Sequence, residues 1–304
     1  IAQNSATLIS PKSAELNDIL PGPPGLRERI VFITDTQIER QCSDCTDQTI
    51  FETDALQNAV LKLYGPQAGG QVISGRLSSY SFTHLTNLMD GIVEDSALED
   101  DLTFADWIVF SLRDIDKDRP ESLALQRFLT ERPNLLREKN IITFAFNAPY
   151  FLDATDISNL TAYYGMYSKS PAFIDAAARI LFRELTPVGA LPVSVPGIGY
   201  DIIQATSPNP VQIIPLIVDI ETTPPQDEFD VPTEETLEPT RVPSFSVGDT
   251  LPLRTGMIYD NNMKQVPDGT PVTFLFTLFG NDGNVDQQVE ATTTDGIAHA
   301  VYRI

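Results

Sequence analysis

Basic residues are scarce in this chain: 20 Lys and Arg stand against 42 Asp and Glu, a formal charge of -22 at neutral pH. Such an exterior repels phosphate backbones and anionic lipid surfaces, which argues against nucleic acid as a partner. Long apolar runs are missing too. No stretch of about 18 apolar residues is available to cross a bilayer, and Ile1 to Ser10 lacks the basic, apolar and small-residue order of a signal peptide. Histidine is limited to His84 and His299, and cysteine to Cys42 and Cys45, so a four-ligand zinc centre would have few donors to draw on. No internal repeat is visible. The chain opens without Met, at IAQNSATLIS, and reads as a piece of a longer polypeptide whose export signal would lie upstream.

What is present is ordinary globular composition, 42% hydrophobic and 20% charged, which predicts a folded protein with a buried core. At 304 residues two domains are expected. Arg29 to Thr34 (RIVFIT) is a short β-branched run suited to a strand covered on both faces. Leu56, Ala59, Val60 and Leu63 then recur at helical spacing, and Gly65-Pro66 stops that helix. Val72-Ile73 is expected as the next strand, with Phe82, Leu85, Met89 and Ile92 forming a helical face after it. Trp107 to Leu112 (WIVFSL), Ile141 to Phe146 (IITFAF) and Leu160 to Tyr164 read as further buried strands. Leu125, Phe128 and Leu129 mark one intervening helix; Phe173, Ala177, Ile180 and Leu181 mark another, reaching roughly Glu184. Strands alternating with amphipathic helices predict an α/β domain, a mostly parallel sheet with helices on both faces, over residues 1–220. Val211 to Ile220 contains Pro215, which cannot donate to a ladder, and is expected at a sheet edge or in an extended tail.

Residues 221–242 interleave Pro224, Pro225, Pro232 and Pro239 with seven acidic side chains, the composition of a stiff, self-repelling linker. From about Pro243 the helical pattern is gone. Leu251 to Tyr259, Val272 to Leu278, Val285 to Ala291 and Ile297 to Ile304 read as short strands, separated by turn signals such as Asp268-Gly269 and Asp295-Gly296. Residues 243–304 are therefore expected to form a small all-β sandwich, with room for a missing closing edge.

Several residues invite a chemical reading, each beside a plainer one. Cys42 and Cys45 form a C-x-x-C just after the first strand: a local disulfide, unpaired thiols, half of a zinc site or a redox pair are all open. Asp44 and Asp47 disfavour a thiolate there. His84 sits beside Phe82 and Leu85 on a helical stretch, where a structural role competes with ligation. Tyr163, Tyr164 and Tyr167 could stack on a sugar or belong to the core. Asp153 and Asp156 follow the fourth strand, where open α/β sheets bind ligands, although loop acids there also serve as caps. Gly197-Ile198-Gly199-Tyr200 begins like a dinucleotide fingerprint, but its continuation breaks at Ile202, and Gly65 to Gly70 lacks the Lys-Ser/Thr of a phosphate loop. No cofactor or metal is implied.

Five segments in one order carry a resemblance. They are Ala6-Thr7-Leu8-Ile9; Ala105-Asp106-Trp107-Ile108-Val109; Asn147-Ala148-Pro149-Tyr150; Ala162-Tyr163-Tyr164; and Ala176 to Glu184 followed by Gly189 to Pro196. Together they resemble the C-terminal α/β sandwich domain of family 3 glycoside hydrolases, of β-N-acetylhexosaminidase or β-glucosidase type. Two positions depart from the family pattern, Arg183 in place of a common Gly and Ala190 in place of a common Arg, and they bear on substrate assignment. Asp260 to Thr273 and Ala291 to Tyr302 separately resemble bacterial Ig-like domains of the invasin group, found on secreted and surface proteins.

The resemblance implies a secreted parent enzyme that hydrolyses β-linked sugars by the retaining route, with two carboxyl groups about 5 Å apart. It places the nucleophilic Asp on an N-terminal barrel that would bind the carbohydrate, so no catalytic residue is assigned here and this portion alone is expected to be inactive. The Ig-like module would act as a spacer or attach the enzyme to a cell surface or polysaccharide, giving an extracellular or surface location. Two rivals remain: a non-catalytic module binding a carbohydrate or small ligand in the sheet's crevice, and a flavodoxin-like redox carrier using Cys42 and Cys45.

Overall fold

The apolar runs expected as buried strands come together in one sheet. In the computed structural model, which describes residues 1–40, 42–92, 96–116, 118–219, 245–280 and 283–304, the chain divides into two compact units, Ile1–Tyr200 and Asp201–Ile304. The first contains β1 (Thr7–Ser10), β2 (Ile30–Thr34), β3 (Gln37–Glu39), β4 (Gln48–Phe51), β5 (Leu77–Ser81), β6 (Trp107–Leu112), β7 (Asn140–Ala145) and β8 (Ala162–Gly165). Six of these form a sheet in the order β1-β8-β7-β6-β2-β5, parallel except for β1, which runs antiparallel to β8. β3 and β4 form a separate hairpin.

Every residue of β2 and β6 is buried, because helices cover both faces. Phe32, Val109, Phe144 and Tyr164 pack beneath the helices Ala55–Tyr64 and Pro171–Leu181. Ile33, Phe110 and Tyr163 pack beneath Phe82–Asp90, Ser96–Phe104 and Ala124–Glu131. Each such side chain contributes about 1.5–3 kcal/mol on leaving water, so these two layers dominate the unit's stability. The helix Phe82–Asp90 starts at a capping box, with Ser81 accepting from the His84 backbone N–H and His84 Nδ1 accepting from Ser81 N–H at 3.2 Å. It stops at Gly91, whose φ of 65° is the left-handed cap that glycine adopts without a Cβ clash.

Two local expectations are corrected, and one helix is new. Val72-Ile73 is not a strand: Val72 is buried and donates its N–H to Tyr64 O at 3.1 Å, closing the end of the preceding helix. The strand is β5, five residues later, and its Ser-rich sequence lacked an apolar signal because it is the sheet's edge. Ile92 lies beyond the cap and is exposed. The helix Ser96–Phe104, carrying Glu99, Asp100 and Asp101, was not expected at all.

The second unit holds β9 (Leu216–Val218), β10 (Thr250–Thr255), β11 (Pro271–Gly280), β12 (Gly283–Thr294) and β13 (Ile297–Arg303). These form one antiparallel sheet in the order β11-β12-β13-β10-β9. The segment with Pro215, expected with the first domain to residue 220, therefore pairs with the second sheet, through Leu216 opposite Thr255. The expected linker 221–242 lies outside the described residues. The sheet folds back so that its two parts pack on one another. β12 meets β13 only at two pairs beside their turn, and Phe274 packs with Leu253, Ala298, Ala300 and Tyr302. Phe276 stacks on Tyr302 at 4.4 Å.

Candidate functional site

Parallel order in the first sheet fixes where a ligand site can form. The chain passes from β2 outward to β5 and then returns across β2 to β6, so the connections leave β2 and β6 in opposite directions. Beyond the C-terminal ends of such a pair lies the crevice where open α/β sheets hold ligands. Here that position is filled with charge.

Asp35 follows β2 directly and is 1% exposed. Its backbone N–H donates to Ser111 O on β6 at 2.9 Å. The loop after β6 brings two arginines to its carboxylate. Arg119 takes both oxygens, bonding Oδ1 through one terminal nitrogen and Oδ2 through the other at 3.1 Å, and also reaches Asp114 Oδ1. Arg113 Nε lies 3.9 Å from Asp35 Oδ2 and 3.7 Å from Asp114 Oδ1, too far for a hydrogen bond. Burial pulls the Arg119 guanidinium pKa down, but the bonds and charges of Asp35 and then Asp114 more than offset this and raise it. A buried carboxylate is tolerated here because it is paired and hydrogen-bonded.

Three buried polar atoms on the segments that follow β2 and β6 have no hydrogen-bond partner among the described residues: Arg113 Nε, Ser111 Oγ at the end of β6, and Gln37 Oε1. One is a donor, one an acceptor and one either, a complement that suits hydroxyl groups or water. With two arginines against two aspartates the knot is close to neutral, which favours an uncharged polar ligand over a phosphate.

From the same end of the sheet rises the β3–β4 hairpin. Cys42 and Cys45 are joined in a disulfide near its tip, and Arg40 pairs with Asp47 at 2.9 Å where the two strands enter that loop. Ile38 is 64% exposed on its side.

The residues singled out in the sequence are mostly elsewhere. His84 is the capping residue described above. Asp153 caps the short helix Ala154–Ser158, accepting from Asp156 N–H at 2.8 Å, and Asp156 accepts from Gln126 Nε2 at 2.7 Å. Tyr163 and Tyr164 are core residues, and Tyr167 donates to Thr7 Oγ1 at 2.9 Å. Gly197 lies in a single turn, Pro196–Ile198. Asp35, Arg113, Asp114 and Arg119 were missed. The one available signal was a carboxylate at the end of a wholly apolar strand, in the motif ITD; its partner Arg119 stands 84 residues away. Among the described residues no group of three or more His, Cys, Asp or Glu could hold a metal ion, and no helix is long and apolar enough to cross a membrane.

No protein-family model and no curated protein matches the chain. Solved structures do. One is the fungal multi-domain glycoside hydrolase family 3 β-N-acetylglucosaminidase, at 16% identity over 72% of this chain and 20% of that chain, TM-score 0.40. Another is a β-glucosidase from Erythrobacter marinus, at 12% identity over 98% of this chain and 44% of that chain, TM-score 0.41. A third is a family 3 β-N-acetylglucosaminidase from Paenibacillus sp. str. FPU-7, at 13% identity over 57% and 28%, TM-score 0.35. The chain thus spans from 20% to 44% of the length of these three.

Proposed function

We propose that this chain is the non-barrel portion of a secreted glycoside hydrolase acting on β-linked sugars, N-acetylhexosaminides or glucosides, and that it supports a catalytic barrel carried elsewhere in the parent polypeptide. The observation that carries the reading is where the five resembling segments lie. The first, the fourth and the last are far apart in sequence yet meet in the fold. Thr7 in the opening segment pairs with Gly165 beside the fourth segment. Gly189, in the last, donates its N–H to Ala6 O at 2.8 Å, and a Cβ there would collide with the Ser5 carbonyl oxygen. Arg183, where the family commonly has Gly, has a φ of 58°. That is the conformation glycine prefers after a helix end, and this chain tethers the arginine instead to Leu20 O at 2.5 Å. The departure thus has a backbone meaning and need not touch the sugar.

In this reading the retaining chemistry belongs to the barrel, and the second unit acts as a spacer or attachment module outside the cell. Incubated with 4-nitrophenyl β-N-acetylglucosaminide and β-glucoside, the chain alone should release no nitrophenol above buffer, and the parent polypeptide should turn over at least one of them. Turnover by the chain alone would overturn the separate barrel; an inert parent would overturn the enzyme.

The second reading, a non-catalytic module for a carbohydrate or small polar ligand, is favoured by the Arg113, Ser111 and Gln37 atoms at the switch point that have no partner among the described residues. Saturable calorimetric binding of a monosaccharide, abolished by Arg113→Ala, combined with an inert parent would select it.

A further inference from the structure

Strand β11 closes one side of the second sheet and, among the described residues, has no partner on its outer side. Its ten-pair register with β12 is continuous, without a bulge. An unpaired edge of that length is a template for another strand, and proteins ordinarily blunt such edges with Lys, bulges or Pro. β11 carries no charged residue, although the chain has 42 acidic ones, and its one proline, Pro271, stands at its first position. The other open edges are blunted: among the described residues β12 is unpaired with β13 before Thr293, and it carries Asp286 and Glu290 there. β9 has three residues and follows Pro215, which has no N–H to offer.

The sequence of β11 indicates what would lie along it. Outward from Leu275 the residues match in pairs: Phe274 with Phe276, Thr273 with Thr277, Val272 with Leu278. An antiparallel strand of the same sequence, laid with Leu275 opposite Leu275, would therefore set aromatic on aromatic and hydroxyl on hydroxyl, the pairings that stabilise sheets. Strand alternation puts Thr273, Leu275 and Thr277 on one face, all exposed, and Phe274 on the other, buried. Leu275 is 74% exposed, an apolar side chain left uncovered at the centre of the matching pairs. Self-pairing of a charged strand within so acidic a chain would bring like charges together; this strand has none to bring.

We infer that β11 is a dimerisation edge whose partner is β11 of a second copy of this chain, antiparallel and two-fold symmetric about Leu275, joining two sheets into one. The contact is isologous, so pairing consumes the open edge, and the blunted β9 and β12 edges stop the assembly at a dimer. This interface does not depend on the glycosidase reading.

Sedimentation velocity of the full chain over a concentration series is expected to show a reversible monomer–dimer equilibrium. Leu275→Lys and Leu275→Glu each place identical charges opposite one another, and each should weaken dimerisation by about tenfold or more. Because the side chain is exposed, far-UV circular dichroism of both variants should match the parent. Mixed in equal amounts, the two variants should dimerise again, since Lys then faces Glu. A monomer at every concentration overturns the inference, and so does a dimer that neither variant weakens. Loss of dimer in both variants without recovery on mixing also overturns it, because residue 275 then does not face itself.

Discussion

The two units handle apolar surface in opposite ways. In the first, helices lie on both faces of a parallel sheet, so β2 and β6 are buried throughout and chemistry is confined to the strand ends, where Asp35 meets Arg119. In the second, one antiparallel sheet packs on itself around Leu253, Phe274, Ala298, Ala300 and Tyr302, and its longest open feature is a bare edge. The difference teaches that covering both faces directs function to the ends of strands, whereas covering one leaves a strand itself available.

The largest expected effect comes from opening the deeper core. Phe110, fully buried between Phe82 and Phe128, should cost about 3–5 kcal/mol on truncation to Ala. In urea denaturation that loss should fall on the transition of the first unit and leave the second unmoved, while Phe274→Ala should do the reverse. Equal shifts of both transitions by either variant would mean that the units unfold as one.

Next in size is the charged knot. Asp35→Ala strips Arg119 of its bidentate partner and should destabilise the first unit by about 3 kcal/mol, because an uncompensated cation is left in a half-closed site. Asp35→Asn, which keeps the shape and one acceptor, should cost less. If both substitutions leave the denaturation midpoint unchanged, the crevice is wetter than its burial implies.

The smallest effect is a matter of pH. Tyr164 is buried in the first core, and that burial, only partly countered by Arg183, pushes its phenol up to about 12 from an unfolded value of 10.0. Since the folded value is the higher one, the contribution to stability is complete below pH 10 and is lost as pH rises toward about 12. Tyr164→Phe should therefore flatten the alkaline limb of the stability profile in that window. A limb of unchanged slope would assign the loss to other groups.

How far the sequence revealed this follows from burial. WIVFSL announced β6 because both faces of that strand needed apolar residues, and the helices of Leu56 and Phe128 showed their stripes for the same reason. LSSYS hid β5 because an edge strand has less to bury. The helix Ser96–Phe104 hid behind its acidic residues. In the second region Asp295-Gly296 marked the β12–β13 turn, but nothing local told that Leu216 would pair with Thr255 across the acidic segment between them.

Sequence alone determined the alternation of elements, the change to all-β pattern beyond the acidic stretch, and the palindrome around Leu275, since each is a property of neighbouring residues. Only the tertiary structure decided that Asp35 receives Arg119, that β2 and β6 flank the switch point, and that β11 stands at an edge. Those depend on which strands become adjacent, and strand order is set by how distant faces pack together, which no local pattern records.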